Sequence, residues 1–385
     1  MKKIITLVTG IAIMFGTSTV CFADAPSNTN IPNQSNNVQA PPQVGVQIGN
    51  TVTLNLDDCL NVIEKVNPSI KISDAKIKIL EKQYNDDKIT STAPDSDDST
   101  SVAYNMEVSY NWKKSQNDLN NEKHDRDDKL KSFKIDLQKQ YFSALADEKD
   151  IESIHAEIAN LDKDIERTSL KVKLGLINST ELDSIKAKKS DLQSKLNNLQ
   201  ASLESEQLKI KQYLNIDFNK EIRLAPANKQ LVKFDENAID LRMKNALKKN
   251  YDVVRQENSL SLLQSLKGIY MSYDADNTNA IRGYDINIGQ LKDQIANVRL
   301  STQIKILQAY YDLKNKDDIV QAEKLNLDVA EDNFNTTETK FKSGIVDAIE
   351  RESARISFEQ QKNKYQRAVD DYMVTSESFK NLLSE

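Results

Sequence analysis

The feature that most constrains this chain is what its long middle lacks. Between Lys113 and Leu174 there is neither glycine nor proline, and the same holds for 176–225, 290–343 and 345–385. These two residues are the ones that end or break helices, so the runs without them predict long helices. Apolar residues inside the runs recur at spacings of three and four. Ile151, Ile154, Ile158, Leu161 and Ile165 form one seam, and Leu192, Leu196, Leu199 and Leu203 form the next. That is the heptad-like pattern of helices packed side by side as coiled coils. A helix of about 60 residues is roughly 90 Å long at ~1.5 Å per residue, which suits a spacer or a conduit wall. The composition agrees: 38% apolar and 29% charged residues, with 9 glycines and 7 prolines in 385 residues, fit long helices better than a globular enzyme.

Gly175 is the only glycine between Gly49 and Gly268, and it has a counterpart in Gly344. The stretch QYFSALADEKDI (140–151) lies over QAYYDLKNKDDI (308–319), with each glycine some way downstream of its copy. Asn67 in 60–70 likewise lies over Asn250 in 241–253. These correspondences describe a tandem duplication, with a first repeat over 51–230 and a second over 231–385. Each glycine falls where one long helix should end and an antiparallel partner begin, since a left-handed residue after a helix suits glycine. Ser179 or Thr180 is expected to cap the returning helix, with Glu181 and Asp183 in its first turn. In the second repeat, Glu350 is expected to match Asp183.

The first residues read as an export signal over 1–23. Lys2 and Lys3 precede the apolar run Ile4–Val20, and Cys21-Phe22-Ala23 offers small residues at a cleavage site. The run is too short and too diluted by Thr and Gly for a membrane anchor, and Val20 before Cys21 does not suit lipidation. Residues 24–50 are rich in Asn, Gln, Pro and Ser and read as a disordered polar linker. Removing the leader leaves Cys59 alone, so an internal disulfide is impossible, and its apolar-spaced surroundings mark a buried small residue. The net charge of −6 is interleaved along the helices, with no basic block for nucleic acid.

Strand-like segments interrupt both repeats at matching places. Val102, Tyr104, Met106, Val108, Tyr110 and Trp112 alternate on one face, and Ile269–Tyr273 and Tyr284-Ile286-Ile288 flank a polar turn at 274–279. The expectation is a short β-hairpin in each repeat, at the end opposite the glycine. The fold class is therefore mainly α: long antiparallel coiled-coil hairpins in two tandem repeats, each interrupted by a short β-hairpin.

Catalytic chemistry finds no foothold. His124 and His155, the 2 histidines, lie in charged helical runs and read as solvated positions. The acidic clusters at Asp95-Asp97-Asp98 and Asp274-Asp276 lack calcium-loop spacing and read as polar turns. There is no phosphate-binding glycine loop and no metal-spaced Cys/His set, so no enzyme, cofactor or metal centre is expected.

In the order of its parts the chain resembles the TolC-like outer-membrane efflux protein family. The resemblance rests on the leader, the opening LNLDDCLNVIEKVNP (54–68), the two helical hairpins with Gly followed by Asp/Glu-x-x-x-Ala, and the paired strand-like insertions. It covers residues 51–385. It implies a homotrimer whose protomers share an outer-membrane β-barrel and a hollow α-barrel. That assembly docks a periplasmic membrane-fusion adaptor and an inner-membrane transporter. Carried over residue by residue, the adaptor-docking tips are Gly175, Leu176, Thr180 and Asp183, with Gly344, Ile345 and Asp347. A tunnel-entrance acidic ring would fall on Glu350, with Asp347 as the alternative, and three such carboxylates could bind divalent ions. The plain alternative for Glu350 is a charge at a helix N-terminus. Membrane-facing strand residues would be Tyr104, Met106, Val108 and Tyr110. One departure stands out: 89–100 holds Pro94 and three aspartates and cannot face lipid, which points to a small or degenerate barrel. Two functions follow. The first is the passive exit duct of a tripartite export system in the outer membrane and periplasm. The alternative is an exported coiled-coil scaffold of the cell envelope without a membrane pore. An adaptor-like hairpin is the weakest reading, because no stretch supplies the β domains that adaptors need.

Overall fold

The computed structural model describes residues 45–48, 50–95, 97–227 and 230–384. The export-signal reading over 1–23 and most of the linker reading over 24–50 lie outside these residues. The end of the linker does not stay irregular: Val46–Ile48 is strand β1, paired antiparallel with β2, Thr51–Leu54. Strand β3, Glu221–Leu224, joins β2 in parallel with Thr51 opposite Glu221 and Leu54 opposite Leu224.

Helices make up the rest, and their lengths repeat in order. Helix α1 (Leu56–Val66) and α6 (Ile239–Lys249) have 11 residues each. Helices α2 (Pro68–Thr90) and α7 (Tyr251–Tyr273) have 23 each. The descending rods are α4 (Trp112–Lys173, 62 residues) and α8 (Thr278–Lys342, 65 residues). The returning helices α5 (Ser179–Leu214) and α9 (Ala348–Leu383) have 36 residues each. Asn67 and Asn250, aligned in the sequence, do the same work. Each ends one helix and caps the next, Asn67 by accepting from the N–H groups of Ser69 and Ile70 and Asn250 from that of Val253.

Packing is lateral. Helix α4 lies against α5 and α9, and α8 lies against α9, so one half of the molecule is a row of α5, α4, α9 and α8. In the other half α2 packs on α4, and α7 on α8. Two clusters of buried side chains sit where the halves meet. The first gathers Leu54, Cys59, Ile63, Ile70, Leu137, Tyr141, Ile210 and Leu214 beneath the sheet. The second gathers Phe234, Ile306, Leu313, Val369, Tyr372 and Phe379. Cys59 is wholly buried, and burial, with Asp58 nearby, pushes its thiol up to about 12, so it packs and does not react.

The expected β-hairpins are helical instead. Residues 102–106 form helix α3, the next five form a π-helical turn over Glu107–Asn111, and the chain runs straight into α4. Ile269–Tyr273 closes α7, and Tyr284, Ile286 and Ile288 lie in the first turns of α8. The reason is local and tertiary together. Ser101 caps α3 by accepting from Tyr104 N–H, and Asn277 caps α8 by accepting from Ala280 N–H. The alternating side chains then pack helix on helix, α3 against α7 and the π-turn against α2, with the rings of Tyr270 and Tyr284 5.2 Å apart. Tyr104, Met106, Val108 and Tyr110 are half-buried helical residues, not strand residues. Among the described residues no helix is long and apolar enough to cross a membrane.

One hydroxyl locks the sheet onto the rods. The Tyr141 O–H group reaches Leu54 O at 2.9 Å and Ala225 O at 2.7 Å, and its side chain is fully buried. Tyr141→Phe leaves those buried carbonyls without this partner at a cost of about 1–3 kcal/mol. The expected outcome is a lower urea midpoint, with helix content by circular dichroism unchanged.

Candidate functional site

The two tips share one backbone recipe. At the end of α4, Gly175 (φ +72) donates its N–H to Val172 O at 2.9 Å and Leu176 donates to Lys171 O at 2.9 Å. At the end of α8, Gly344 (φ +71) donates to Phe341 O at 3.0 Å and Ile345 to Lys340 O at 2.9 Å. This doubled closure satisfies the last carbonyls of each rod and needs a left-handed residue, which costs a non-glycine about 1–2 kcal/mol. Each linker then runs Gly, two aliphatics and an Asx cap: Gly175-Leu176-Ile177-Asn178 and Gly344-Ile345-Val346-Asp347.

The caps correct the sequence reading. Asn178, not Ser179 or Thr180, starts α5 by accepting from Thr180 N–H at 3.4 Å. Asp347 starts α9 by accepting from Ile349 and Glu350 N–H, both at 2.9 Å. With linkers of equal length, Glu350 matches Glu181 and Asp183 falls beyond the first turn. The expected offset of two residues between the repeats does not exist.

Gly175, Leu176, Thr180, Asp183, Gly344, Ile345, Asp347 and Glu350 are all exposed. Leu176 at 69% and Ile345 at 72% are far more open than large aliphatics usually are, and Leu170 and Leu174 add to the apolar surface of the first tip. The tips are tied to each other. Arg167 on α4 pairs with Asp347 and with Asp164 at 2.5 Å, and Asn160 Nδ2 donates to Ile349 O at 3.0 Å. Asp347 is therefore engaged as cap and ion-pair partner. Glu350 has its backbone N–H held by Asp347 and its carboxylate exposed on the first turn of α9.

At the opposite end, the loops of Asp95, Asp97 and Asp98 and of Asp274 and Asp276 join helices. Lys88 Nζ sits 3.6 Å from the centre of the Trp112 ring there, a cation–π contact. His124 departs from the solvated reading: its ring stacks on Tyr251 at 3.7 Å and its Nδ1 lies 3.1 Å from Asp128.

Large exposed apolar side chains gather on helices that lie at an edge of the packing. Leu300, Ile304, Leu307, Tyr311, Leu325 and Val329 follow one another down α8 at mostly three- and four-residue steps. In the other half α2, packed on α4, exposes Ile72, Ile79 and Ile89, while α5, at the far end of the row, exposes only Leu208 among its large apolar residues. Helix α9, which has neighbours on both sides, exposes no large apolar residue.

This arrangement is the fold of TolC-like outer-membrane channels. The structure superposes on the CmeC outer membrane channel of Campylobacter jejuni with a TM-score of 0.60, covering 93% of this chain and 94% of that one at 11% identity. The open state of the MtrE outer membrane channel of Neisseria gonorrhoeae gives 0.60 over 85% and 88% of the two chains, again at 11% identity. A membrane protein of Pseudomonas aeruginosa gives 0.64 over 85% and 92%, at 7% identity. No protein-family profile and no curated protein sequence matches the chain. The likeness is thus one of architecture and not of sequence.

The two caps differ in one chemical respect. The Glu350 N–H, with Arg167, the Ile349 N–H and Lys171, holds the Asp347 carboxyl below its usual range. A depressed carboxyl stabilises fully above its unfolded pKa and loses that contribution as pH falls through the folded value. Asn178 has no such titration. Amide exchange at 345–351 is expected to rise relative to 176–182 once the pH drops below about 4, and Asp347→Asn is expected to abolish the difference.

Proposed function

We propose that this chain is one protomer of a closed helical duct, the passive exit component of a tripartite export system. The observation that carries the reading is the placement of apolar surface. Helices α8 and α2 lie at different edges of the packing and each leaves an apolar face open, which edge-to-edge contact between copies completes. Such a heterologous contact closes into a ring when the row is curved. A homotrimer is the closed form in the family the chain resembles. In this reading the exposed aliphatics of the glycine tips meet the hairpins of a membrane-fusion adaptor, an inner-membrane transporter supplies the energy, and Glu350 lines the entrance. Outer-membrane and periplasmic placement belongs to the same proposal.

A second reading is favoured by one specific observation. The strands among the described residues have 3 and 4 residues, whereas a membrane-spanning strand needs about 9–11. An envelope scaffold that keeps the helical wall without a membrane pore needs no strand of that length.

Light scattering of residues 24–385, with and without detergent, separates the two. The duct reading expects a trimer that needs detergent and passes ions in a planar bilayer. A detergent-independent trimer without conductance favours the scaffold, and a monomer under both conditions defeats the ring. Leu325→Asp, on a side chain 67% exposed in the single chain, is expected to shift the mass from three copies to one without loss of helix content.

A further inference from the structure

The joint between the two repeats lies where α4 meets α9, and polar contacts run along it. Gln360 Nε2 donates to Glu157 at 3.1 Å and Asn160 Nδ2 to Ile349 O at 3.0 Å. Asn363 Nδ2 donates to Ala146 O at 3.0 Å and also reaches Asp150. Arg367 Nη2 lies 2.5 Å from Asp147 and 2.8 Å from Asp150. The chain holds the parts of this joint twice. The two tip glycines, the starts of α5 and α9 and their ends are each 169 positions apart (175 to 344, 179 to 348 and 214 to 383). The same shift sets Tyr141-Phe142 on Tyr310-Tyr311, and the buried Leu137 and Ala144 on the buried Ile306 and Leu313. It is one residue more than the pairing of 140–151 with 308–319. By this shift α4 corresponds to α8 and α9 to α5. The image of the α4–α9 joint is therefore a contact of α8 with α5. One chain cannot make it, because α5 and α8 are the two ends of the row.

Both image faces are open, and both have the make-up of a covered seam. Along α8, Asn315, Ile319, Ala322, Asn326, Val329 and Asn333 follow one another in alternating steps of four and three, all exposed and none charged. Along α5, Ser184, Ala187, Asp191, Ser194, Asn198 and Ala201 lie in the same alternation, all exposed, with one charge and no large side chain. That spacing is the spacing of a seam between packed helices. In a chain with 29% charged residues, a solvated face carries its share of charge, whereas the centre of an interface is depleted of it. The shift matches partners as well. Glu157 and Gln360 map to Asn326 and Asp191, again a carboxylate facing a side-chain amide, with the helices exchanged. Asp150 and Asn363 map to Ile319 and Ser194, a large aliphatic opposite a small side chain.

We propose that α8 of one copy seats on α5 of the next, antiparallel and in the register of the α4–α9 joint, with Asn326 beside Asp191 and Ile319 beside Ser194 of the next copy. The inference rests on the ring reading and deepens it, by naming the two faces that close the tip half of the wall and the register in which they meet. A second copy is the occupant because the open face of α8 finds its complement, at matching spacing, on α5 of the same chain. Ile319 and Val329, 38% and 60% exposed in the single chain, are covered by this contact. The two joints differ in chemistry. Arg367 and Asp147 map to Asn198 and Lys316, and Arg167 and Asp347 map to Thr336 and Asn178, so neither ion pair has an image. The joint within a copy is tied by charge, and the joint between copies holds by burial and side-chain hydrogen bonds.

The test oxidises paired cysteines in residues 24–385 carrying Cys59→Ala. The in-register pairs are Ile319→Cys with Ser194→Cys, and Asn326→Cys with Asp191→Cys. The slipped pairs are Ile319→Cys with Ala187→Cys, and Ile319→Cys with Ala201→Cys. A slip of one heptad moves a residue about 10 Å at ~1.5 Å per residue, beyond the span of a disulfide. All these positions are exposed in the single chain, and a link within one chain is blocked because α4 and α9 stand between α5 and α8. The expected result is covalent dimers and trimers on a non-reducing gel from both in-register pairs. The slipped pairs are expected to stay single. Light scattering of the unoxidised samples keeps this proposal apart from the reading it rests on. An assembly that links in neither in-register pair, or that links as fully in the slipped pairs, overturns the proposal and leaves the ring standing. A chain that stays single in solution overturns both.

Discussion

A helix some 90 Å long has no interior of its own, and lateral contact must supply what a globular core supplies elsewhere. The seam between α4 and α9 bears the most weight, because it joins the two repeats along the rods. Its apolar part is sparse: Ile154 and Ile356 are buried, but polar groups take up much of the rest. Asn160, Asn363, Asp147 and Arg367 each cross from one repeat to the other by hydrogen bond or ion pair. Such contacts fix axial register more sharply than aliphatic contacts do, since a shift of one turn leaves buried donors and acceptors unpaired. With the register fixed, the two tips stand side by side and Arg167 can reach the cap of the neighbouring hairpin.

The two repeats are copies in backbone more than in chemistry. Helices of 11, 23 and 36 residues recur, and both glycine turns close with the same pair of hydrogen bonds. Around the waist they diverge. The first repeat sets β2 in the middle of a three-stranded sheet. The second has an extended segment whose Phe234 N–H donates to the Tyr372 hydroxyl at 2.8 Å. Asn178 in one tip becomes Asp347 in the other, so equal geometry comes with unequal response to acid.

Much of the architecture was legible in the sequence because it rests on exclusions. Long stretches without glycine or proline, with apolar residues at three- and four-residue steps, leave few alternatives to paired rods. A single isolated glycine between two such stretches marks a turn. The alternation over 102–112 misled for a physical reason. A two-residue period is compatible with a strand only if another strand lies beside it, and the stretch before it, with Pro94 and Asp95-Asp97-Asp98, cannot provide one. Without a partner, those side chains pack as helices, with a π-helical turn absorbing the mismatch. The cap at Asn178 was ambiguous because Asn, Ser and Thr stand in a row, and all three are good caps. The Arg367 cluster was not legible at all, since Asp147 and Asp150 lie 220 and 217 residues from Arg367 in a chain where charged residues are everywhere.

The parallel pairing of β2 with β3 has a consequence for how the molecule comes into being. Thr51 and Glu221 are 170 residues apart, and most of the chain between them is helix that forms by local contacts. Strand β3 cannot reach β2 until α4 has descended, turned at Gly175 and returned along α5 to bring Leu214 beside Leu54. Loop closure over such a span is entropically slow unless the intervening chain is already ordered. The sheet therefore closes last in the first repeat, and by closing it places Ala225 under Tyr141 at the point where the second repeat begins. A repeat that has finished folding thus hands the next one a fixed starting point.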